Sequence, residues 1–464
     1  MAIEHRYVTI PDQTNKLETT RLSVDAISVD REVVAIGDPE TADGYLKIDA
    51  TTGAARVQLY GLTEGGNDVK SVSVSDEGHL EVSVQGPRGV FGEIITANLT
   101  PVVAGDFVYG INSNTIASVL TGSGTATSAN QMGVASTTAA ATSTAMIKSA
   151  KVAKYRPGQG VQARFTAMFT TGAANSTQIA GMMNSTVDAF GFGYNGAAFG
   201  VLWRRNSSDT WVARASWNLD VCDGTGDSGF TIDPTKLNIY RIQMGYLGAF
   251  GAIMSVLNSV NGQWVDVHQF VFVNTTTTPH VTNPTMHFAI YAANAANTTN
   301  IAVSCASFFM GIEGERRGLG GTYGISSFKS IGTTQNNVIT VRNNTTINSV
   351  TNRSMLRLRS LSVSTAASVP VIFQLLKNTT LGGSPSYTNV DATNSLAAYD
   401  TAGTTVTGGN QVFNCAIGAN GNQFSDLTEF DIFLLPGETL TVSAASISGA
   451  ASNQVVALNW NEDV

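Results

Sequence analysis

Charge is scarce in this chain. Asp, Glu, Lys and Arg make up 13% of its 464 residues, about half the usual soluble share of roughly 25%. With 43% hydrophobic residues, the composition excludes intrinsic disorder, which needs low hydrophobicity and high net charge. It also excludes a long coiled coil, which needs abundant Glu, Lys, Leu and Arg in heptads. No segment reaches the roughly 18 consecutive apolar residues of a membrane span, so no membrane insertion is expected. A basic surplus is missing too: 26 Lys and Arg stand against 34 Asp and Glu, for a net charge of −8. No nucleic-acid partner is therefore expected. Cysteine is limited to Cys222, Cys305 and Cys415, an odd and widely spaced set that is no disulfide framework; all three are expected as buried thiols. The opening Met1-Ala2-Ile3-Glu4-His5-Arg6 lacks a signal peptide's apolar core, so ordinary secretion is not expected. The Asn-x-Ser/Thr sites at Asn175, Asn184, Asn274 and Asn378 then read as by-products of an Asn/Thr-rich composition.

Thr, Ser, Asn, Ala and Gly fill the space left by charge, the profile of a β-rich chain with an uncharged polar surface. Charge is dense over residues 1–100 and absent from Phe107 to Ile147, which marks a boundary. Residues 1–100 read as a small β-rich anchoring segment. The hairpin pattern Ser71–Ser75, Asp76–His79, Leu80–Val84 carries one apolar face, and Val33–Ile36 runs into a turn at Gly37-Asp38-Pro39. So thin a core would be marginal alone and needs a partner. Residues 101–150 are a Thr/Ser/Ala-rich linker or edge strands, two readings the composition leaves open. Residues 151–320 form strand candidates at Val161–Phe169, Phe199–Arg204, Trp211–Ala215, Asn238–Met244, Ile253–Val256, Val265–Val273, Met286–Tyr291 and Ile301–Met310, with turns such as Asn195-Gly196 and Asn206–Asp209 between them. After a charged and Gly-rich joint at Glu313–Gly324, residues 325–464 are again β. The expected fold is all-β: a small N-terminal β segment followed by two antiparallel β-sandwich, jelly-roll-like domains.

No catalytic or metal constellation emerges. Gly226-Asp227-Ser228-Gly229 matches the nucleophile loop of trypsin-like proteases, but a triad needs a histidine base, and the upstream histidines His5 and His79 have no suitable context. The loop Asp220–Asp227 offers three carboxylates, as calcium favours, without EF-hand spacing; a solvated acidic loop is the alternative. His268, His280 and His287 have no metal-ligand spacing, and His287 is expected half-exposed in a strand. No catalytic residue, metal or cofactor is assigned, and the chain is expected to be no enzyme. Aromatics offer one candidate binding patch: Trp203, Trp211 and Trp217 with Arg204 and Arg214, where ring faces could stack on sugars or on guanidinium groups. The other reading places Trp203 and Trp211 in the sandwich core.

Several segments resemble structural proteins of tailed bacteriophages: Tyr155–Phe169 (Tyr-Arg-Pro-Gly-Gln-Gly-Val-Gln-Ala-Arg-Phe-Thr-Ala-Met-Phe), Asn238–Gly248, Asn283-Pro284-Thr285-Met286, Val371–Asn378, Leu435–Leu440, the tail Trp460-Asn461-Glu462-Asp463, and Arg31–Pro39. The resemblance covers most of residues 150–464 loosely, and its motifs are structural. It implies a virion protein, a fibre or spike-like appendage of tail, baseplate or head that docks on other virion proteins through residues 1–100, often as a homotrimer. A head-stabilising capsid decoration and a receptor-recognition protein binding a host-surface glycan are the alternatives it leaves open. Localisation in the virion follows from the same resemblance.

Overall fold

The computed structural model describes residues 99–314 and 320–462 in full, together with the backbone of short strands before residue 72. The chain divides into a unit of residues 1–85 and a larger unit of residues 86–464. In the first, Glu4–Thr9, Lys16–Val24 and Ile27–Glu32 make an antiparallel three-stranded sheet. Val69–Ser71 pairs with Tyr60–Leu62. The rest of the hairpin expected over 71–84, and the turn at Gly37, lie outside the described residues.

Among its described residues the larger unit is all-β, with antiparallel pairing throughout and two single-turn 3₁₀ segments. Its first sandwich sets a nine-stranded sheet against a seven-stranded one. Residues 101–150 belong to it as strands: Ile116–Thr121 and Thr142–Ser149 join the smaller sheet, and Thr125–Ala129 and Met132–Ser136 the larger. Their Thr, Ser and Ala side chains suit strands that need little of their own core. Between the sheets lies an aromatic core in which Phe165 stacks on Tyr240 (centroids 5.7 Å) and Phe192 meets Tyr240 at 4.7 Å. Such offset and tilted pairs add to the burial of large rings.

Two central strands escape the sequence pattern. Ser176–Asn184 and Asp188–Asn195 lack the β-branched alternation expected of strands, yet pair in register from Thr177↔Asn195 to Asn184↔Asp188. In Asp188–Asn195 the inward positions are Phe190, Phe192 and Tyr194, all buried. The intervening Gly193 sits so close to the next strand that a Cβ there would meet the Gln178 carbonyl oxygen at 1.7 Å. Glycine here is a packing requirement, although it reads as a strand breaker. The expected strand Ile301–Met310 is divided into Ala302–Cys305 and Ser307–Ile312, which both pair with Val161–Phe169 but differ in their second neighbour.

The hairpin joining Ala198–Arg205 to Ser208–Ala213 closes in two residues. Asn206 (φ 48°) and Ser207 (φ 65°) are both left-handed, the requirement of a type I′ turn, for which Asn-Gly is the favoured pair. Ser207 is exposed and has a Cβ in a region that costs non-glycine residues roughly 1–2 kcal/mol. Ser207→Gly should therefore stabilise the first sandwich by about 1 kcal/mol, seen as a rise of a few degrees in its melting transition.

The second sandwich sets a five-stranded sheet against a six-stranded one. Its longest strand, Ser452–Glu462, alternates cleanly, with Gln454, Val456, Leu458, Trp460 and Glu462 buried. Thr322–Ile331, unmarked in sequence because it follows the Gly-rich joint, pairs along its whole length with that strand. Interior polarity is supplied by amides and by two buried carboxylates, Asp400 and Glu462, held by N–H and O–H donors. Buried Asn343 donates to the carbonyls of Ser354 (2.9 Å) and Leu434 (3.0 Å), and Asn352 donates to Asn343 Oδ1 (2.7 Å). A buried amide satisfied in this way avoids the desolvation cost of an ion. The two sandwiches meet through Lys151, whose Nζ pairs with Asp431 (2.6 Å) and lies 4.4 Å from the Phe433 ring centroid.

Candidate functional site

The five residues of the sequence-predicted aromatic patch do not come together. Cross-strand register places Leu202 opposite Trp211 and Trp203 opposite Thr210. The two tryptophans therefore point to opposite faces of the seven-stranded sheet. Trp203 is half-buried against the main core, donating from Nε1 to the His280 carbonyl (2.7 Å) with its ring 4.5 Å from Phe272. Trp211 packs on the other face, against a small cluster that includes Met146, Ile179 and Leu202. Trp217 is buried edge-on to Phe192 and Phe199. Buried Arg204 is held by Asp209 at 2.5 and 3.0 Å, and Arg214 reaches towards the Ile232 carbonyl. The spacing of eight and six residues is compatible with one patch, but the two-residue turn at Asn206-Ser207 sets the parity against it.

The acidic loop closes on itself. Asp220 accepts from the backbone N–H groups of Cys222 (2.8 Å) and Ser228 (2.9 Å), so Ser228 belongs to a carboxylate-centred turn. Burial pushes the Asp220 carboxyl up, but these backbone bonds outweigh it and hold it below the usual range. Asp223 accepts from the N–H and hydroxyl of Thr225. Among the described residues no cluster of three or more His, Cys, Asp or Glu is placed to hold a metal. Cys222 and Cys305 are buried, whereas Cys415, expected to be buried, is half-buried because its strand lies at the edge of the six-stranded sheet. Burial, then the Asp220 charge, pushes the Cys222 thiol up to about 12.

A cleft of about 420 Å³ lies where the two sandwiches meet, within the roughly 300–1,000 Å³ of small-molecule sites. The first sandwich contributes Lys148 and His287 from paired strands, and the second contributes Arg353, Lys377 and Glu438. Lys377 and Glu438 neutralise one another at 2.7 Å. The side chains of Lys148 and Arg353 make no ion pair or hydrogen bond with any described residue. Burial and then the charge of Arg353 hold the Lys148 ammonium below its ordinary range. Burial lowers Arg353, against a smaller opposing effect of the more distant Asp188 carboxylate. His287 donates from Nδ1 to the Ser149 carbonyl (2.7 Å). Burial first, then Lys148, pushes its imidazole down to about 4, so at neutral pH it is uncharged. Asn410 Nδ2 bonds Asn114 Oδ1 (3.3 Å) across the rim. None of these residues stood out in the sequence: Lys148 ends a Thr/Ser/Ala stretch and Arg353 lies in a loop of the other sandwich.

A second concavity of about 220 Å³, lined by Arg156, Arg357, Arg359, Asp431 and Glu462 among others, has its carboxylates engaged. Asp431 is paired with Lys151 and Arg357. Glu462 accepts from the Ser395 hydroxyl (2.6 Å), the Leu396 N–H (2.6 Å) and Trp460 Nε1 (2.9 Å).

No protein-family model matches the chain, and no curated protein matches it. Solved structures do. A xylan β-1,4-xylosidase from Bacillus halodurans C-125 is similar at 8% identity and TM-score 0.29, over 64% of this chain and 60% of that one. A glycosyl hydrolase family protein from Mycobacterium fortuitum is similar at 12% and 0.32, over 46% and 100%. Lectin II from Ulex europaeus is similar at 11% and 0.30, over 46% and 100%. The chain thus spans about 60% of the length of the xylosidase. These likenesses correct one expectation. With glycoside hydrolases among the similar structures, the exclusion of enzymatic activity drawn from a missing motif is withdrawn, since paired acids leave no fixed spacing in a sequence. TM-scores near 0.3 carry no argument to a substrate or a reaction.

Proposed function

We propose that the chain is a structural appendage of a tailed-bacteriophage particle, a fibre or spike of tail, baseplate or head, that docks on other virion proteins through residues 1–100. The observation that supports this reading best is the division into a unit of residues 1–85 and a larger unit of two joined antiparallel sandwiches. Charge concentrated in the first hundred residues suits docking, and uncharged polar sheets beyond them suit an exposed appendage. The resemblance of Tyr155–Phe169, Asn238–Gly248 and Leu435–Leu440 to phage structural proteins points the same way. Removing residues 1–100 should abolish incorporation into particles while the sandwiches stay folded, measured by particle sedimentation and immunoblotting. Incorporation at the full-length level would overturn the docking role.

A second reading, recognition of a host-surface glycan, is favoured by the cleft between the sandwiches. Its size and polar rim suit a saccharide, and its position spans two rigid modules.

A further inference from the structure

We infer that the cleft between the sandwiches is an acidic-saccharide site, in which Lys148 and Arg353 hold the carboxylate of a uronate-type sugar. The inference rests on the glycan reading and specifies its chemistry; it does not depend on the particle reading.

The charges lining the cleft are unbalanced. Lys148, Arg353 and Lys377 face a single carboxylate, Glu438, and that carboxylate is consumed. It takes Lys377 at 2.7 Å, the Leu435 N–H at 2.7 Å and Asn378 Nδ2 at 3.1 Å. Two cations therefore remain, half-buried and mutually repelling, in a chain where only 13% of residues are charged. Unlike the buried carboxylates of Asp188 and Glu462, each met by several N–H and O–H donors, these two cationic side chains have no such partners among the described residues. Half-burying like charges together is unfavourable, and burial, then the Arg353 charge, holds the Lys148 ammonium below its ordinary range. An anion entering the cleft relieves both costs, and a carboxylate or phosphate offers a planar or forked set of acceptors to Arg353 with a point charge from Lys148.

The remaining lining separates a sugar acid from a bare anion. Ala117, Val152, Leu435 and Pro436 provide apolar surface of the kind on which the C–H face of a pyranose ring rests. Ser113, Asn114 and Asn410 lie at the polar edge, where hydroxyls would meet donors and acceptors. Neutral His287 lends Nε2 as an acceptor, because Nδ1 is committed as a donor to Ser149. A site for inorganic phosphate alone needs none of this apolar wall or this volume. Recognition across two sandwiches also explains why each cation is supplied by a different one, so that the site exists only when the modules are joined.

The test is calorimetric titration of the full chain with D-glucuronate and tri-galacturonate, beside glucose and inorganic phosphate, at low ionic strength. At least one sugar acid should bind about tenfold or more tightly than glucose and phosphate, weakening as salt rises. Lys148→Gln and Arg353→Gln should each lose about tenfold or more in that affinity. Lys148→Gln should melt no lower than the parent, because it removes a repelled cation. Equal binding of glucose would overturn the acidic assignment and leave the glycan reading standing. No binding of any sugar would overturn both. Phosphate binding as tightly as either sugar acid, or unchanged sugar-acid affinity in both variants, would overturn the assignment of the carboxylate to these two cations.

Discussion

Trp460→Ala should cost the second sandwich about 3–5 kcal/mol, enough to lower its unfolding transition far below that of the first. Trp460 is 1% exposed, opposes Tyr323 on one neighbouring strand and Leu358 on the other, and is the largest fully buried side chain of the described residues. Its loss opens a cavity beside a strand that is hydrogen-bonded to neighbours on both sides. A second effect adds to the first. Nε1 is one of three donors to the Glu462 carboxylate, and a buried carboxylate that loses a donor pays part of its desolvation cost uncompensated. Trp460→Phe keeps most of the volume and removes the N–H, so its smaller loss, about 1–3 kcal/mol, isolates the hydrogen bond. Urea denaturation followed by circular dichroism would resolve the sandwiches as separate transitions. A Trp460→Ala protein with an unchanged second transition would refute the packing described here.

Asp188→Ala should be strongly destabilising, at about 1–3 kcal/mol for each buried donor left without an acceptor, and Asp188 should be a determinant of acid stability. This buried carboxylate accepts from the N–H groups of Thr282 (3.0 Å), Asn283 (3.1 Å) and Asn206 (3.2 Å), from Asn184 Nδ2 (2.7 Å) and from the Thr282 hydroxyl. It thereby ties the loop 282–283 to the end of Ser176–Asn184 and to the turn at Asn206-Ser207. Burial pushes its carboxyl up, but the bonds from Thr282, Asn206 and Asn184 outweigh that and hold it below the ordinary range. A carboxylate depressed in the folded state contributes its full stability above the unfolded value of about 3.9. That contribution is lost as pH falls through the depressed folded value. Urea midpoints measured from pH 7 downward should therefore fall below about pH 4 in the parent, and fall less in Asp188→Asn, which is already weakened at neutral pH. Parallel pH curves for the two proteins would show that other groups set the acid limit. The substitution should also shift Arg353, which feels the Asp188 charge.

The strands that were legible in the sequence are those whose side chains alternate. Val161–Phe169 is found with the boundaries expected of it, whereas the hairpin turn expected at Asn195-Gly196 falls one residue later, at Gly196-Ala197, with Asn195 paired to Ala198. Ser176–Asn184 and Asp188–Asn195 were hidden because buried central strands draw on Gly, Ala and Met, where close approach of backbones matters more than β-propensity. The Thr/Ser/Ala stretch after residue 120 supports strands only because neighbouring strands such as His287–Ala295 supply pairing and cover. The aromatic patch failed on parity, which depends on how many residues a turn contains. The cleft was illegible for a different reason: Lys148 and Arg353 are unremarkable in their own segments, and their meaning lies in which other charges are absent around them.

By itself the amino-acid sequence determined an antiparallel β protein, because period-two apolar alternation punctuated by Asn, Gly and Pro turns has no helical solution. Tertiary structure alone decided which face each tryptophan occupies, which aspartate is buried among donors, and which two cations remain without a counter-ion where the sandwiches meet. Those outcomes depend on register and on contacts between residues distant in the chain, and local sequence carries neither.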